Sequence, residues 1–199
     1  MIENEFILQD RIQKIKSINE LYDLENNSYL SFSGGKDSTI LHYILDEALP
    51  NNKIPRVYIN TGIEYKDIYI YVKNLAEKDK RFVIYSSGVN IPRMLEQEGY
   101  PFKSKEHSQR VLEYRNGGRS DYLLKYFRIK KGGFNLCPKK LLYQIQESDL
   151  KISHKCCYKL KKEPIKKWME ENKKSITITG MRKEEGGQRS NINCIVLKK

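Results

Sequence analysis

Nowhere in this chain do about 18 apolar residues run together, the length a membrane-spanning helix requires, so no segment is expected to cross a bilayer. The start, Met1-Ile2-Glu3-Asn4-Glu5, lacks a basic stretch ahead of an apolar core, so no signal peptide is expected. Cysteine is scarce, with four residues in 199. The expected compartment is then the reducing cytoplasm, where these thiols are not expected to form structural disulfides. No internal repeat or low-complexity tract appears. Acid is in deficit, 25 Asp and Glu against 37 Lys and Arg, for a net charge of +12. The deficit is local. Between Pro101 and Lys140, eleven basic residues face only Glu106, Glu113 and Asp121, a balance of +8.

What is present fits one folded domain. Hydrophobic residues make up 39% and aromatics 11%, which excludes global disorder. The length suits a single α/β domain over residues 1–199, with an insertion or lid at about 99–135. The basic stretch is interleaved with Tyr114, Tyr122, Tyr126 and Phe127, a pattern that suits a nucleic-acid backbone with bases stacked on rings. A solvated lysine-rich surface, or the attraction of a polyanionic nucleotide, accounts for the same charge.

The densest signal is Ser31-Phe32-Ser33-Gly34-Gly35-Lys36-Asp37-Ser38-Thr39, between a short apolar run and the periodic Ile40, Leu41, Ile44 and Leu45. That is the order strand, glycine turn, helix. Glycines let backbone approach an anion, and a helix N-terminus favours one. Ser33, Ser38 and Thr39 offer hydroxyls and Lys36 a charge, so the loop is expected to hold phosphate. It lacks the four-residue spacer of Gly-x-x-x-x-Gly-Lys-Ser/Thr and is not Gly-x-Gly-x-x-Gly. It resembles the Ser-Gly-Gly-Lys-Asp-Ser pyrophosphate loop of the adenine nucleotide α-hydrolase superfamily. That superfamily includes ATP pyrophosphatases, sulfate adenylyltransferase small subunits and phosphoadenosine phosphosulfate (PAPS) reductases.

Along the chain, helical spacing over 5–25 predicts a leading helix, then strand Tyr29–Ser33, helix Asp37–Leu49 and strand Arg56–Asn60. Next come helix Tyr65–Lys80, strand Arg81–Tyr85 and a short helix Ile91–Gln97. Between Gly99 and Gly133 the pattern breaks down. Helices Pro138–Ser148 and Lys161–Asn172 follow, with strands Ser175–Thr179 and Asn193–Leu197. This alternation predicts a doubly wound, mostly parallel sheet flanked by helices, with a basic insertion. The chain ends at Lys198-Lys199 directly after the last strand, which reads as an absent or very short C-terminal portion. His42 is expected to pack or face solvent, Trp168 to pack, and His107 and His154 have no metal-spaced partners.

In such sheets, ligands lie beyond the carboxyl ends of the strands. Three loops fall there: the glycine loop, Asn60-Thr61-Gly62-Ile63-Glu64-Tyr65, and Thr179-Gly180-Met181-Arg182 running on to Arg189-Ser190. The resemblance sharpens at these positions. Asn60-Thr61-Gly62-Ile63-Glu64 looks like the Asp/Asn-Thr-Gly segment of PAPS reductases, and Gly180-Met181-Arg182 with Arg189 like their Gly-Ile/Met-Arg…Arg segment. Cys156-Cys157-Tyr158-Lys159-Leu160-Lys161-Lys162-Glu163-Pro164 is similar to the Cys-Cys-x-x-Arg-Lys-x-x-Pro block of the iron–sulfur members, with Leu160 in place of the arginine. The resemblance runs from about Tyr29 to Ser190, with 99–135 unmatched.

It implies an adenine nucleotide (PAPS, adenylylsulfate or ATP) held by Ser33, Gly34, Gly35, Lys36, Asp37, Ser38, Thr39, Asn60, Thr61, Gly62, Glu64, Gly180, Met181, Arg182 and Arg189. Arginine forks bind phosphate or sulfate bidentately, and Lys36, Arg182 and Lys161 would serve the reacting group. Asp37 would cap the helix, or meet Mg²⁺ if the substrate is ATP. Adjacent Cα atoms lie about 3.8 Å apart, too close for a relaxed disulfide, so Cys156–Cys157 is not one. A [4Fe–4S] cluster takes four thiolates, and Cys137, Cys156, Cys157 and Cys194 are the four available. Reduced, incidental cysteines are the other reading.

The chain departs from the reductases in having neither a Glu-Cys-Gly-like tail nor a downstream Cys-x-x-Cys pair. The thiol that attacks sulfur is therefore unassigned, with Cys137 or Cys194 as substitutes. The leading expectation is a PAPS reductase-like enzyme acting at the phosphosulfate or pyrophosphate group, with a thiol reductant or sulfur-donor protein and a homodimer as further partners. An ATP pyrophosphatase that adenylates or thiolates nucleic acid is the second. A non-catalytic nucleotide or nucleic-acid binding module is the third.

Overall fold

Short apolar runs alternating with amphipathic segments produce a four-stranded sheet in this computed structural model, which describes residues 3–145 and 148–181. The strands are β1 (Ser28–Ser31), β2 (Arg56–Asn60), β3 (Phe82–Ser86) and β4 (Ile176–Ile178). The helices are α1 (Glu3–Tyr22), α2 (Leu24–Asn27), α3 (Lys36–Ala48), α4 (Lys66–Lys78), α5 (Ile91–Glu98), α6 (Lys105–Arg115), α7 (Asp121–Tyr126) and α8 (Glu163–Glu171). The chain divides into two compact units, Met1–Ser86 with Pro164–Lys199, and Ser87–Glu163.

The first unit holds the sheet. Its order is β3-β2-β1-β4 and every pairing is parallel, with Leu30 opposite Arg56, Asn60 opposite Ser86 and Leu30 opposite Ile178. The expected doubly wound α/β architecture is therefore present, and the described strands are all parallel. Side chains of period two sort onto the two faces. On one face Leu30, Phe32, Tyr58 and Phe82 pack with Leu45 of α3 and Val72 of α4. On the other, Tyr29 and Val57 pack with Trp168 of α8, and the Tyr29 and Trp168 rings meet edge-on at 5.2 Å. Trp168 packs, as expected. From β1 the chain proceeds through β2 to β3 on one side, while β4 pairs on the other side of β1. The switch point, where doubly wound sheets take their ligands, thus lies between the ends of β1 and β4. The expected strand Asn193–Leu197 lies outside the described residues.

The Ser87–Glu163 unit contains two helices where the sequence pattern breaks down. α6 and α7 escape the apolar periodicity because their buried faces are partly polar: α6 buries His107, Ser108 and Arg110 beside Val111. Their caps were nonetheless written in the sequence. Ser104 Oγ accepts from the His107 amide at 3.1 Å, and Ser120 Oγ from the Leu123 amide at 3.3 Å. Val111, Leu123, Tyr126, Phe127, Cys137 and Ile152 form the core. The helix expected at Pro138–Ser148 is a 3₁₀ segment, Lys139–Ile145, and a π-helical turn, Tyr158–Lys162, follows the cysteine pair.

The arginines of this basic stretch are engaged internally. Arg115 donates to the carbonyls of Gln144, Leu150 and Ser148, the last two at 2.6 and 2.7 Å. Arg119 lies 4.1 Å over the Tyr114 ring and donates to the Tyr114 and Gly118 carbonyls. Arg110 sits 4.0 Å over Tyr126, and Arg128 donates to the Cys137 carbonyl at 2.8 Å. Lys125 and Lys130 share Asp121. Of the rings expected to stack bases, Tyr126 and Phe127 are buried and Tyr114 is covered by Arg119, while Tyr122 is exposed beside Arg110.

Candidate functional site

At the β1 end of the switch point, Ser33–Thr39 turns sharply into α3. Gly34 adopts φ +73°, and a Cβ there would lie 2.8 Å from Ile68 Cγ2 and 3.0 Å from Val72 Cγ2 of α4. Conformation and space both demand glycine. The hydroxyls brace the loop itself. Ser38 Oγ donates to the Gly35 carbonyl at 2.9 Å, and so does Thr39 Oγ1 at 3.0 Å. Ser38 Oγ in turn accepts from the Ser33 amide at 3.2 Å and stands 3.1 Å from Ser33 Oγ, whose proton it receives. The three hydroxyls fold the loop. The groups left to face a ligand are the backbone at the start of α3, where Gly35 is the N-cap and no side chain caps the helix, and the exposed Lys36. A helix start in this state favours an anion.

The loop after β2 is braced in the same manner. Asn60 Oδ1 accepts from the Gly62 amide at 3.0 Å, Gly62 adopts φ +81°, and Glu64 accepts from Thr61 through its amide (3.0 Å) and hydroxyl (2.6 Å). Thr61 is buried and Glu64 half-buried, so their roles are to hold the loop. Ile63 and Tyr65 project outward from it.

At the β4 end, Gly180 meets the phosphate loop. A Cβ on Gly180 would lie 3.0 Å from the Asp37 carbonyl oxygen and 3.3 Å from Asp37 Cβ. The backbone after β4 therefore touches the first turn of α3, and two of the three expected loops close on one crevice. Met181 is exposed beside it. Arg182, Arg189 and the rest of the third loop lie outside the described residues.

Toward the C-terminal end of α3 lies a charged cluster that no sequence motif marks. Arg56 is fully buried; its Nε donates to His42 Nδ1 at 3.1 Å, its Nη2 to Asp46 at 2.7 Å and its Nη1 to Asn52 at 2.7 Å. Arg81 holds Asp46 through both nitrogens, at 2.7 and 2.9 Å, and also Asp79. Burial lowers the Arg56 guanidinium to about 10. Burial first, and Arg56 second, depress His42, which keeps the imidazole neutral and able to accept. The visible signal was the His42/Asp46 pair one helical turn apart on α3.

Cys137, Cys156 and Cys157 belong to the Ser87–Glu163 unit. Cys137 is fully buried, and burial pushes its thiol up. Cys156 and Cys157 are half-buried and, like Cys137, free. Among the described residues no group of three or more His, Cys, Asp or Glu could hold a metal ion. Cys137, Cys156 and Cys157 do not form such a group, and Cys194, the fourth residue of the expected cluster, lies outside the described residues. Lys161 sits exposed on the π-helical turn.

No described helix is long and apolar enough to cross a membrane. No solved structure matches the chain. A protein of Methanocaldococcus jannaschii described as uncharacterized is 31% identical over 130 residues, covering 61% of this chain and 31% of its own length. The chain therefore spans about a third of the curated relative it matches. The family model of the phosphoadenosine phosphosulfate reductase domain matches residues 27–199, from the first strand through all three loops. The chain belongs to that family, within the adenine nucleotide α-hydrolase superfamily.

Proposed function

We propose that this protein is an adenine-nucleotide enzyme that acts at the phosphosulfate or pyrophosphate group of PAPS, adenylylsulfate or ATP. The observation that carries the reading is the glycine-lined contact at the switch point, where Gly34 packs on α4 and Gly180 on the first turn of α3. Backbone shaped this closely presents the start of α3 to an anion and leaves no room for a competing side chain. Lys36 stands at that helix start as a point charge. Arg182 and Arg189 would fork onto the phosphate or sulfate oxygens. The braced Asn60–Glu64 loop supplies the second wall, its exposed Ile63 and Tyr65 available to the nucleoside.

Equilibrium binding of PAPS, adenylylsulfate and ATP tests the reading first. At least one is expected to bind, and Gly34→Ala to lose that binding by tenfold or more while far-UV circular dichroism is retained. Turnover then separates the reacting bonds. Sulfite release from PAPS or adenylylsulfate with a dithiol reductant assigns sulfur–oxygen cleavage, the two thiols supplying two electrons and leaving as a disulfide. Pyrophosphate release from ATP assigns phosphorus–oxygen cleavage. Binding of none of the three nucleotides overturns the proposal.

A further inference from the structure

The phosphate loop is continuous with α3, so whatever fixes α3 fixes the loop. α3 is fixed by an arginine from a different element. Arg56, at the start of β2, grips both His42 and Asp46 of α3, while the Ile54 carbonyl and Asn52 hold the same guanidinium from below. Arg81, at the entry to β3, closes on the other side of Asp46 and is backed by Asp79. His42 also reaches the residue at the loop entry: its ring meets Phe32, the residue before Ser33, edge-on at 6.5 Å, and packs against Phe82 of β3 at 5.0 Å. Phe32 at the loop entry and the helix that leaves the loop are thus linked through one imidazole, and that imidazole accepts from Arg56.

We infer that Arg56, acting through His42 and Asp46, is a positioning residue that holds the α3 phosphate loop in its nucleotide-binding pose, and that protonation of His42 releases it. Arg56 Nε–H requires an unprotonated Nδ1. A proton there removes the acceptor and sets an imidazolium against a buried guanidinium. Of the charged groups facing His42, Arg56 and Arg81 oppose the proton and Asp46 and Asp79 favour it. Asp46 Oδ2 lies 3.7 Å from Nδ1, and Asp46 is already held by two arginines, so it compensates little. The inference rests on the nucleotide reading above.

The experiment is equilibrium binding of ATP and of PAPS to the wild type, Arg56→Lys and His42→Asn, at about pH 7.5 and about pH 5.5, either side of the ordinary histidine range. Asparagine places a neutral acceptor near Nδ1 that does not titrate. The nucleotide's own phosphate titrates equally for every variant, so differences between variants are the readout. Arg56→Lys, which cannot fork onto both partners, is expected to weaken binding by about tenfold at the higher pH. The wild type is expected to lose about fivefold more affinity on acidification than His42→Asn. Equal pH profiles, or Arg56→Lys binding like the wild type, overturn the inference. If Arg56→Lys does not fold, Asp46→Asn replaces it with the same expected loss. Absence of binding by the wild type would instead defeat the nucleotide reading. Hydrogen exchange of residues 36–44 then decides the clamp on its own: faster exchange in Arg56→Lys supports it, and unchanged exchange sinks it.

Discussion

In the sheet unit, Arg56 and Arg81 meet carboxylates, Asp46 and Asp79. In the Ser87–Glu163 unit, Arg115, Arg119 and Arg128 meet backbone carbonyls and aromatic rings. The difference follows from composition. The second unit holds 17 lysines and arginines against 8 acids, so its cations outnumber its carboxylates, and Arg110 takes one of these, Glu106. A guanidinium has five donors, and irregular backbone has unpaired carbonyls. Arg115 satisfies three such carbonyls across 29–35 residues of sequence. A local charge excess is therefore not by itself the footprint of a polyanion. Part of it is mortar for a region with few strands.

A large effect that tests this contrast is expected at Arg115. Arg115→Ala leaves the carbonyls of Gln144, Ser148 and Leu150 without their donor, at a cost of about 2–4 kcal/mol. Hydrogen exchange should accelerate throughout α6 and the 3₁₀ segment while α3 and α4 stay protected. A variant as stable as the wild type would mean that Arg115 is a surface cation after all.

Acid should weaken both units, each through one buried imidazole. His107 is held at Nδ1 by the Tyr126 hydroxyl (2.7 Å) and at Nε2 by Gln144 Oε1 (2.8 Å). Since Gln144 Oε1 can only accept, Nε2 carries the proton and Nδ1 accepts from Tyr126. Burial lowers both His42 and His107 below the ordinary 6.5, and Lys103 and Arg110 add to the effect at His107. A neutral folded form means that the unfolded chain binds more protons below 6.5. The stabilisation is complete above that value and is lost progressively as pH falls beneath it. Trp168, the one tryptophan, reports the sheet unit in urea melts, and far-UV circular dichroism reports both units. His107→Gln should flatten the pH dependence seen by circular dichroism and leave that of Trp168 in place. Identical shifts in both signals would show that the units unfold as one.

Thiol labelling gives a smaller and more local effect. Cys156 and Cys157 should react with a maleimide in the native state, whereas Cys137, buried with its thiol pushed up, should react only as the second unit opens. Arg115→Ala should then expose Cys137. Native labelling of Cys137 at the rate of the other two would contradict its place in the core.

The same contrast explains what could be read from the sequence. The sheet unit obeys simple periods: Arg56–Asn60 was legible to the residue, and Ile68, Val72, Leu75 and Ala76 all face inward as their spacing predicts. Gly34 was legible as a phosphate-loop glycine, but its contact with Ile68 and Val72 depends on how β2 places α4. Ser33, Ser38 and Glu64 were legible as site residues, yet their polar atoms close the loops, because a short backbone turn satisfies its own groups first. In the second unit a buried face made of His107, Ser108 and Arg110 has no apolar signature. There only the cap serines carried information, and Arg110, Tyr114 and Tyr126 looked like a binding surface because nothing local reveals that a ring and a guanidinium cover each other.

The smallest expected effect asks whether the carboxylate partners matter in the sheet unit, or only their burial. α8 carries two ion pairs one turn apart, Lys166–Glu170 at 3.7 Å and Lys167–Glu171 at 3.8 Å, with all four side chains largely solvated. Such pairs gain little Coulomb energy in water and restrict two long side chains, so Lys166→Ala and Lys167→Ala should each change stability by less than about 0.5 kcal/mol. The Arg56–Asp46 pair has the same chemistry but a fully buried guanidinium, and removing one partner strands the other charge away from water. Arg56→Met should therefore cost about 3–5 kcal/mol in the same urea melts. Comparable costs on α8 and at Arg56 would show that pairing, not burial, separates the arginines of the two units.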